Sequence, residues 1–386
     1  MIKIQFFEDD IKDYYLETML SEIEARFNKN PSYFLKNEKG NFSAELAKTL
    51  LTGTREEVQN NDKFKLYFEV IKLIEKKNFK VDVYLKEKER PICRYERQNA
   101  REELLAEARK IDKVFIDGYT ANHQGYLMNS KSFSDLITDM EKDAVEKLEF
   151  IFSYDELLCG KQNKNGNAAL ITMRHKLLTS LNVPVCPYCN RQYITTYEKT
   201  EDDERTTADL DHFYPKSKYP LFALSLFNFI PSCHVCNSQM KGAKTAEIIY
   251  PYEEGFGNDA YFSVSSNGDC KNLLKLWRGE KDVPIFIDIQ TDTSDKEKEK
   301  RIQNSIDTFN LNKVYQSHEE YVRELLVKKR VYNEGAYSDS LEKIFKKLNL
   351  RYTPDELERF LYGFHWQDGE DAEHPLSKLT YDIVKR

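Results

Sequence analysis

Two C-x-x-C pairs, Cys186 with Cys189 in "CPYCNRQY" and Cys233 with Cys236 in "SCHVCNSQ", constrain this chain more than any other feature. Each two-residue gap lets both sulfurs of a tight turn converge on one ion, and four thiolates make a closed tetrahedral zinc site. Metal binding in such sites carries on the order of 10 kcal/mol of apparent free energy, enough to fix a segment of modest apolar content. With four sulfurs bound, no position is open for water, so this Zn2+ folds the segment and does no chemistry itself. Burial as small apolar side chains is the competing explanation, and it suits a lone pair better than two pairs flanking one motif. Cys93, Cys159 and Cys270 read as reduced thiols without a ligand role, and His234, inside the second pair, as a bystander unless it replaces a sulfur.

Composition limits what surrounds this clamp. A length of 386 residues suits about two or three domains. With 32% charged residues the chain is polar, yet 13% aromatic residues supply enough large apolar side chains for a folded core. The start "MIKIQFFEDDIKDYY" does not have a basic, then apolar, then small-residue pattern, and no apolar run is long enough to span a bilayer. A cytoplasmic location without a membrane partner is expected, where an odd total of seven cysteines argues against a disulfide framework. The net charge of -7 excludes a protein that coats nucleic acid by global attraction, so any phosphate partner must meet a local cationic patch.

Between the cysteine pairs, "RQYITTY" and "TTADLDH" read as the arms of a hairpin, with the acidic "EKTEDDER" as its solvated loop. Side chains alternate along a strand, so Asp211 and His212 point different ways and suit different tasks, one holding a metal and the other a proton. "FNFIPSC" returns as a short extended piece, and "NSQMKGAKTAEII" reads as a helix that would carry Asn237, Lys241 and Lys244 on one face. Imidazole can accept a proton from water near neutral pH, and a hard cation on the oxygens of Asp211 and Asn237 would neutralise phosphate charge. Lys216, Lys218, Lys241 and Lys244, with Arg191 upstream, form the candidate nucleic-acid-binding patch.

The motifs "CPYC", "DHFYPKS", "FNFIPSC" and "CNSQMK" together resemble the HNH nucleases, the ββα-metal or His-Me finger group, in the version braced by a four-cysteine zinc. The resemblance implies that Asp211 and Asn237 hold a catalytic Mg2+ or Mn2+, that His212 is the general base, and that Asn228 braces the loop and helps set the imidazole orientation. It implies a metal-dependent endonuclease hydrolysing phosphodiester bonds, with double-stranded DNA favoured over RNA. It extends loosely, through "FNLNKVYQSHEEYVRELL" and "PLSKLTYDI", to stand-alone bacterial HNH proteins of antiphage defence. Such proteins often work beside an ATPase or sensor partner. A non-catalytic zinc-ribbon protein for nucleic-acid binding or assembly would need the cysteines and lysines but not Asp211, His212 or Asn237. A zinc deaminase, suggested by the H-x-E of His318 and Glu320, is excluded by the order of the motifs and the closed thiolate set.

The expected fold class is α+β, a mostly helical chain with a central zinc-braced ββα-metal module. Residues 1–155 form an α+β domain for partner binding or regulation, 156–255 the nuclease domain and 256–386 a mainly helical region. "KVDVYL" reads as a strand, "REEVQNNDKFKLYFEVIKLIEKK" as helix, "GKQNKNGN" as a linker and "AALITMRHKLLTS" as a helix whose His175 is a surface residue. Beyond the turn-rich "YPYEEGFG", long helices carry a packing stripe of Leu311, Val314, Tyr315, Tyr321 and Leu325, and "HPLSKLTYDIVKR" is a final helix on the core.

Overall fold

The computed structural model describes residues 1–78, 139–158, 168–200, 203–244, 246–266, 272, 275, 280, 283–333, 336–348, 353–363 and 373–385. The strand expected at "KVDVYL", the linker after Gly160, and Cys93, Cys159 and Cys270 lie outside the described residues. Helices and small sheets are mixed, as an α+β chain requires. The chain divides into two compact units. A cysteine unit comprises Met1–Phe6, Leu178–Asp211 and Ile230–Arg386, and a helical unit comprises Phe7–Leu177 and His212–Phe229.

In the helical unit, Asp9–Lys29 buries Tyr15, Met19, Ile23 and Phe27, a four-residue spacing that puts one apolar stripe on one face. It packs on Ala44–Thr52, whose start is capped by the Ser43 hydroxyl accepting from Leu46 N at 3.3 Å. "REEVQNNDKFKLYFEVIKLIEKK" forms two helices, Arg55–Asn60 and Asp62–Asn78. The first opens on a reciprocal Thr54–Glu57 capping box. Phe34, Tyr67 and Phe222 meet edge to face in the core. "AALITMRHKLLTS" lies in the helix Ala168–Leu181, where His175 is half-buried.

Among the described residues, six strands lie in three two-stranded sheets. Strands β1 (Thr196–Thr200) and β2 (Asp203–Thr206) are antiparallel, β3 (Ala208–His212) pairs with β4 (Phe229–Cys233), and β5 (Ala260–Ser265) is antiparallel to β6 (Phe286–Thr291). This corrects the arms of the expected hairpin, because residues 198–200 and 203–205 of the acidic run lie in β1 and β2, while Ala208–His212 forms β3 and pairs with β4 instead. Cross-strand pairing of Thr196 with Thr206 and Tyr197 with Arg205 shows why: the β-branched and aromatic residues continue into the acidic stretch. The helix expected from Asn237 onward is also shorter. Val235–Lys241 is a single π-type turn, closed by Gly242 N donating to Asn237 O at 2.8 Å. Gly242 has φ +49°, which ends the turn and leaves Lys244 beyond it.

The long C-terminal helices are Lys296–Thr308, capped by Asp295 accepting from Glu297 N and Lys298 N, and Glu319–Asn333. Leu311, Tyr315 and Leu325 are buried and Val314 and Tyr321 half-buried, so the stripe is packing. The final helix, Ser377–Lys385, docks by Asp382 accepting from Phe262 N of β5 at 2.9 Å. Gly255 marks the turn-rich stretch, where an added Cβ would lie 2.8 Å from Lys3 N.

Candidate metal centre and adjoining polar cluster

The turn after Val185 folds "CPYC" back on itself: Asn190 N donates to Cys186 O at 2.8 Å and Cys186 N to Gln192 O at 3.0 Å. Asn190 takes φ +48°, a left-handed conformation that asparagine tolerates. Its side-chain oxygen accepts from Lys378 N at 3.1 Å, while Tyr315 Oη donates to Cys189 O at 2.6 Å, so the final helix and the packing stripe both hold the knuckle. The second pair straddles the end of β4 and the π-type turn.

All four cysteines are buried, and their sulfurs lie within 4.8 Å of one another. Cys189 Sγ and Cys233 Sγ are 4.0 Å apart, twice a disulfide bond and close to the S···S edge of about 3.8 Å in a tetrahedron with Zn–S near 2.3 Å. The donor set therefore fits a closed-shell structural cation such as zinc. Burial pushes the Cys186 thiol up, whereas hydrogen bonds from Cys186, Cys189 and Cys236 hold Cys233 well below the ordinary thiol range. Three thiols around one favoured thiolate make a donor set that a cation would complete.

The residues expected to act beside the cysteines divide between the two units. In the cysteine unit, Asp211 is 2% exposed, and Lys241 Nζ donates to it at 3.1 Å from Oδ1 and 3.0 Å from Oδ2. Tyr188, between the first two cysteines, donates its hydroxyl to Asp211 Oδ2 at 2.6 Å. Burial, then the adjoining carboxylate, raises the Tyr188 phenol well above its usual range and keeps it a donor. Asn237 faces elsewhere: its Nδ2 donates to Asp209 Oδ2 at 3.0 Å, and His234 Nδ1 lies 2.9 Å from the same oxygen.

In the helical unit, His212 is 9% exposed, with Nε2 3.0 Å from Ala223 O. Tyr154 and Phe229 meet its ring edge to face, at centroid distances of 4.7 and 5.3 Å. Asn228 is fully buried and braces the intervening loop. Its Oδ1 accepts from Tyr214 N at 2.6 Å, and its Nδ2 donates to Tyr214 O at 3.0 Å and Phe222 O at 2.9 Å. Phe222 precedes Ala223, so the amide secures the segment whose carbonyl meets the imidazole.

Four of the five candidate phosphate-binding cations have other partners. Lys216 pairs with Asp155 at 2.9 Å, Lys218 with Glu75, and Lys241 with Asp211. Arg191 Nε donates to His318 Nε2 at 2.9 Å, and burial followed by the guanidinium charge lowers the His318 pKa, in keeping with a neutral acceptor. Lys244 is exposed. Sequence reasoning missed Tyr188, Asp209 and the place of His234. The only available signal was the period of two that puts Asp209 and Asp211 on one face of β3.

No family model matches the sequence, and no solved structure matches it. Among the described residues, no helix is long and apolar enough to cross a membrane. Protein ea31 of Escherichia phage lambda is similar to one stretch of the chain, 33% identical over 82 residues. That stretch is 19% of this chain and spans 28% of the length of ea31.

Proposed function

We propose that this chain is a metal-dependent endonuclease of the HNH kind that hydrolyses phosphodiester bonds of nucleic acid, DNA in the first place, as a cytoplasmic effector of bacterial antiphage defence. The observation that carries the reading is the buried four-sulfur cluster, whose two pairs bracket the strand with consecutive Asp211 and His212 and whose last cysteine is followed by Asn237. Zinc on Cys186, Cys189, Cys233 and Cys236 would brace these elements without entering the chemistry. Double-stranded DNA as substrate, and an ATPase or sensor as partner, belong to this reading through the resemblance alone.

His212 is the proposed general base. With Nε2–H donating to Ala223 O, the lone pair lies on Nδ1, which takes the proton of an attacking water. The new P–O bond forms as the bond to the leaving oxygen breaks. Asn228 fixes the carbonyl-bearing loop and so selects the tautomer. By the motif, Asp211 and Asn237 would hold a divalent cation, Mg2+ or Mn2+, that would neutralise charge at the phosphate; in the structure Lys241 and Tyr188 occupy the Asp211 oxygens and Asn237 turns to Asp209.

The test incubates the full chain with supercoiled plasmid and, separately, a structured RNA, with Mg2+, Mn2+ or chelator. Cation-dependent plasmid cleavage is expected, and His212→Ala should lower it by about 10²- to 10⁴-fold with zinc content unchanged. Cleavage of RNA alone would reassign the substrate. An inert wild-type chain with a full zinc site would favour a zinc-ribbon assembly protein, the reading that the Lys241–Asp211 pairing supports.

A further inference from the structure

Asp209 Oδ2 gathers two groups around one oxygen, His234 Nδ1 at 2.9 Å and Asn237 Nδ2 at 3.0 Å, and Ser238 Oγ lies 3.4 Å from the same imidazole nitrogen. The cluster reaches solvent: the His234 side chain is 69% exposed and that of Asp209 26%. An amide nitrogen and oxygen exchange places by a simple flip of the terminal group. With its oxygen turned inward, Asn237 joins a carboxylate oxygen and an imidazole nitrogen as a third ligand. Adjacent ligands at about 2.1 Å from an octahedral cation are spaced by roughly 3 Å, which matches the two separations measured from Asp209 Oδ2.

Asp211 offers the opposite environment. Its carboxylate is 3% exposed and faces the Lys241 ammonium through both oxygens, with the Tyr188 hydroxyl on Oδ2. A divalent cation there would sit against a buried positive charge that has no route to water.

We infer that Asp209, His234 and Asn237 form a divalent transition-metal site, and that Asp211 is not one of its ligands. The imidazole selects Mn2+, Co2+ or Ni2+ over Mg2+ and Ca2+, which prefer oxygen ligands alone. His234 binds through Nδ1, with the ring proton on Nε2. The role of the cation rests on the nuclease reading; its binding does not.

The experiment uses the full, zinc-loaded chain and Mn2+ as probe, with free Mn2+ followed by its electron paramagnetic resonance signal. Asp209→Asn and His234→Gln should each weaken Mn2+ binding by at least the 10- to 100-fold typical of lost supporting groups, with zinc content and circular dichroism unchanged. A large excess of Mg2+ should fail to displace bound Mn2+. Wild-type protein that takes up no Mn2+ beyond its zinc site, both variants binding as wild type, or ready displacement by Mg2+ overturns the assignment. Plasmid cleavage is scored in parallel. Mn2+ binding that is lost in the variants, with no cleavage by any form, keeps the site and removes the nuclease reading; cleavage with unaltered Mn2+ binding does the reverse.

Discussion

Asp209 and Asp211 lie two residues apart on the same face of one short strand, yet their side chains are 26% and 3% exposed. The buried carboxylate has a fixed countercharge, Lys241, itself only 2% exposed, and a phenol that burial keeps protonated. The half-exposed one has an imidazole and an amide, both able to turn or exchange partners. Depth decides the difference. A carboxylate out of water needs a permanent partner, whereas one at the surface keeps its contact with water and can exchange partners.

The strongest way to break this contrast is to remove what holds both ends. Tyr188 lies between Cys186 and Cys189, and His234 between Cys233 and Cys236, so the four-sulfur cluster positions one partner of each aspartate. Cys236→Ser, or chelation, should forfeit much of a binding free energy on the order of 10 kcal/mol. The expected outcome is loss of zinc and of cooperative unfolding in the cysteine unit, read by metal analysis and calorimetry. A variant that unfolds at the wild-type temperature would mean that the thiols are ordinary core side chains.

The cysteine pairs were legible because two short spacings with one chemistry are a local signal. The helices carrying capping residues and apolar stripes, and the final helix, were legible for the same reason. The partner of Asp211 was not. Lys241 lies 30 residues away along the chain, and nothing in its neighbours marks it as buried instead of solvated. Its place depends on a π-type turn that stops at Gly242, while the sequence suggested a helix continuing through Lys244. Asp209 was overlooked because the Asp-His dipeptide drew the reading, although strand alternation already put Asp209 beside Asp211.

The next effect in size falls on the buried pair. Lys241→Met removes the ammonium and leaves Asp211 charged and shielded from water, which should cost about 3–5 kcal/mol in denaturant unfolding. Replacing both members, Asp211→Leu with Lys241→Met, should recover most of that loss, because a buried ion pair is worth little more than apolar residues of similar volume. A single variant within about 0.5 kcal/mol of wild type would show that Asp211 reaches water after all, and the two aspartates would then be equivalent.

The smallest effect belongs to the surface cluster, and its smallness is the sharper half of the comparison. Asp209→Asn keeps an acceptor oxygen and removes one half-exposed charge, so its stability cost should be about 0–1 kcal/mol. Salt should separate the two sites further. At about 1 M ionic strength the screening length falls to roughly 3 Å, which should erase most of the Asp209→Asn effect and leave that of Lys241→Met nearly intact. The same denaturant titrations at low and high salt read both. Equal salt sensitivity for the two variants would place both carboxylates in one dielectric environment, and depth along β3 would no longer explain why one aspartate is locked and the other open.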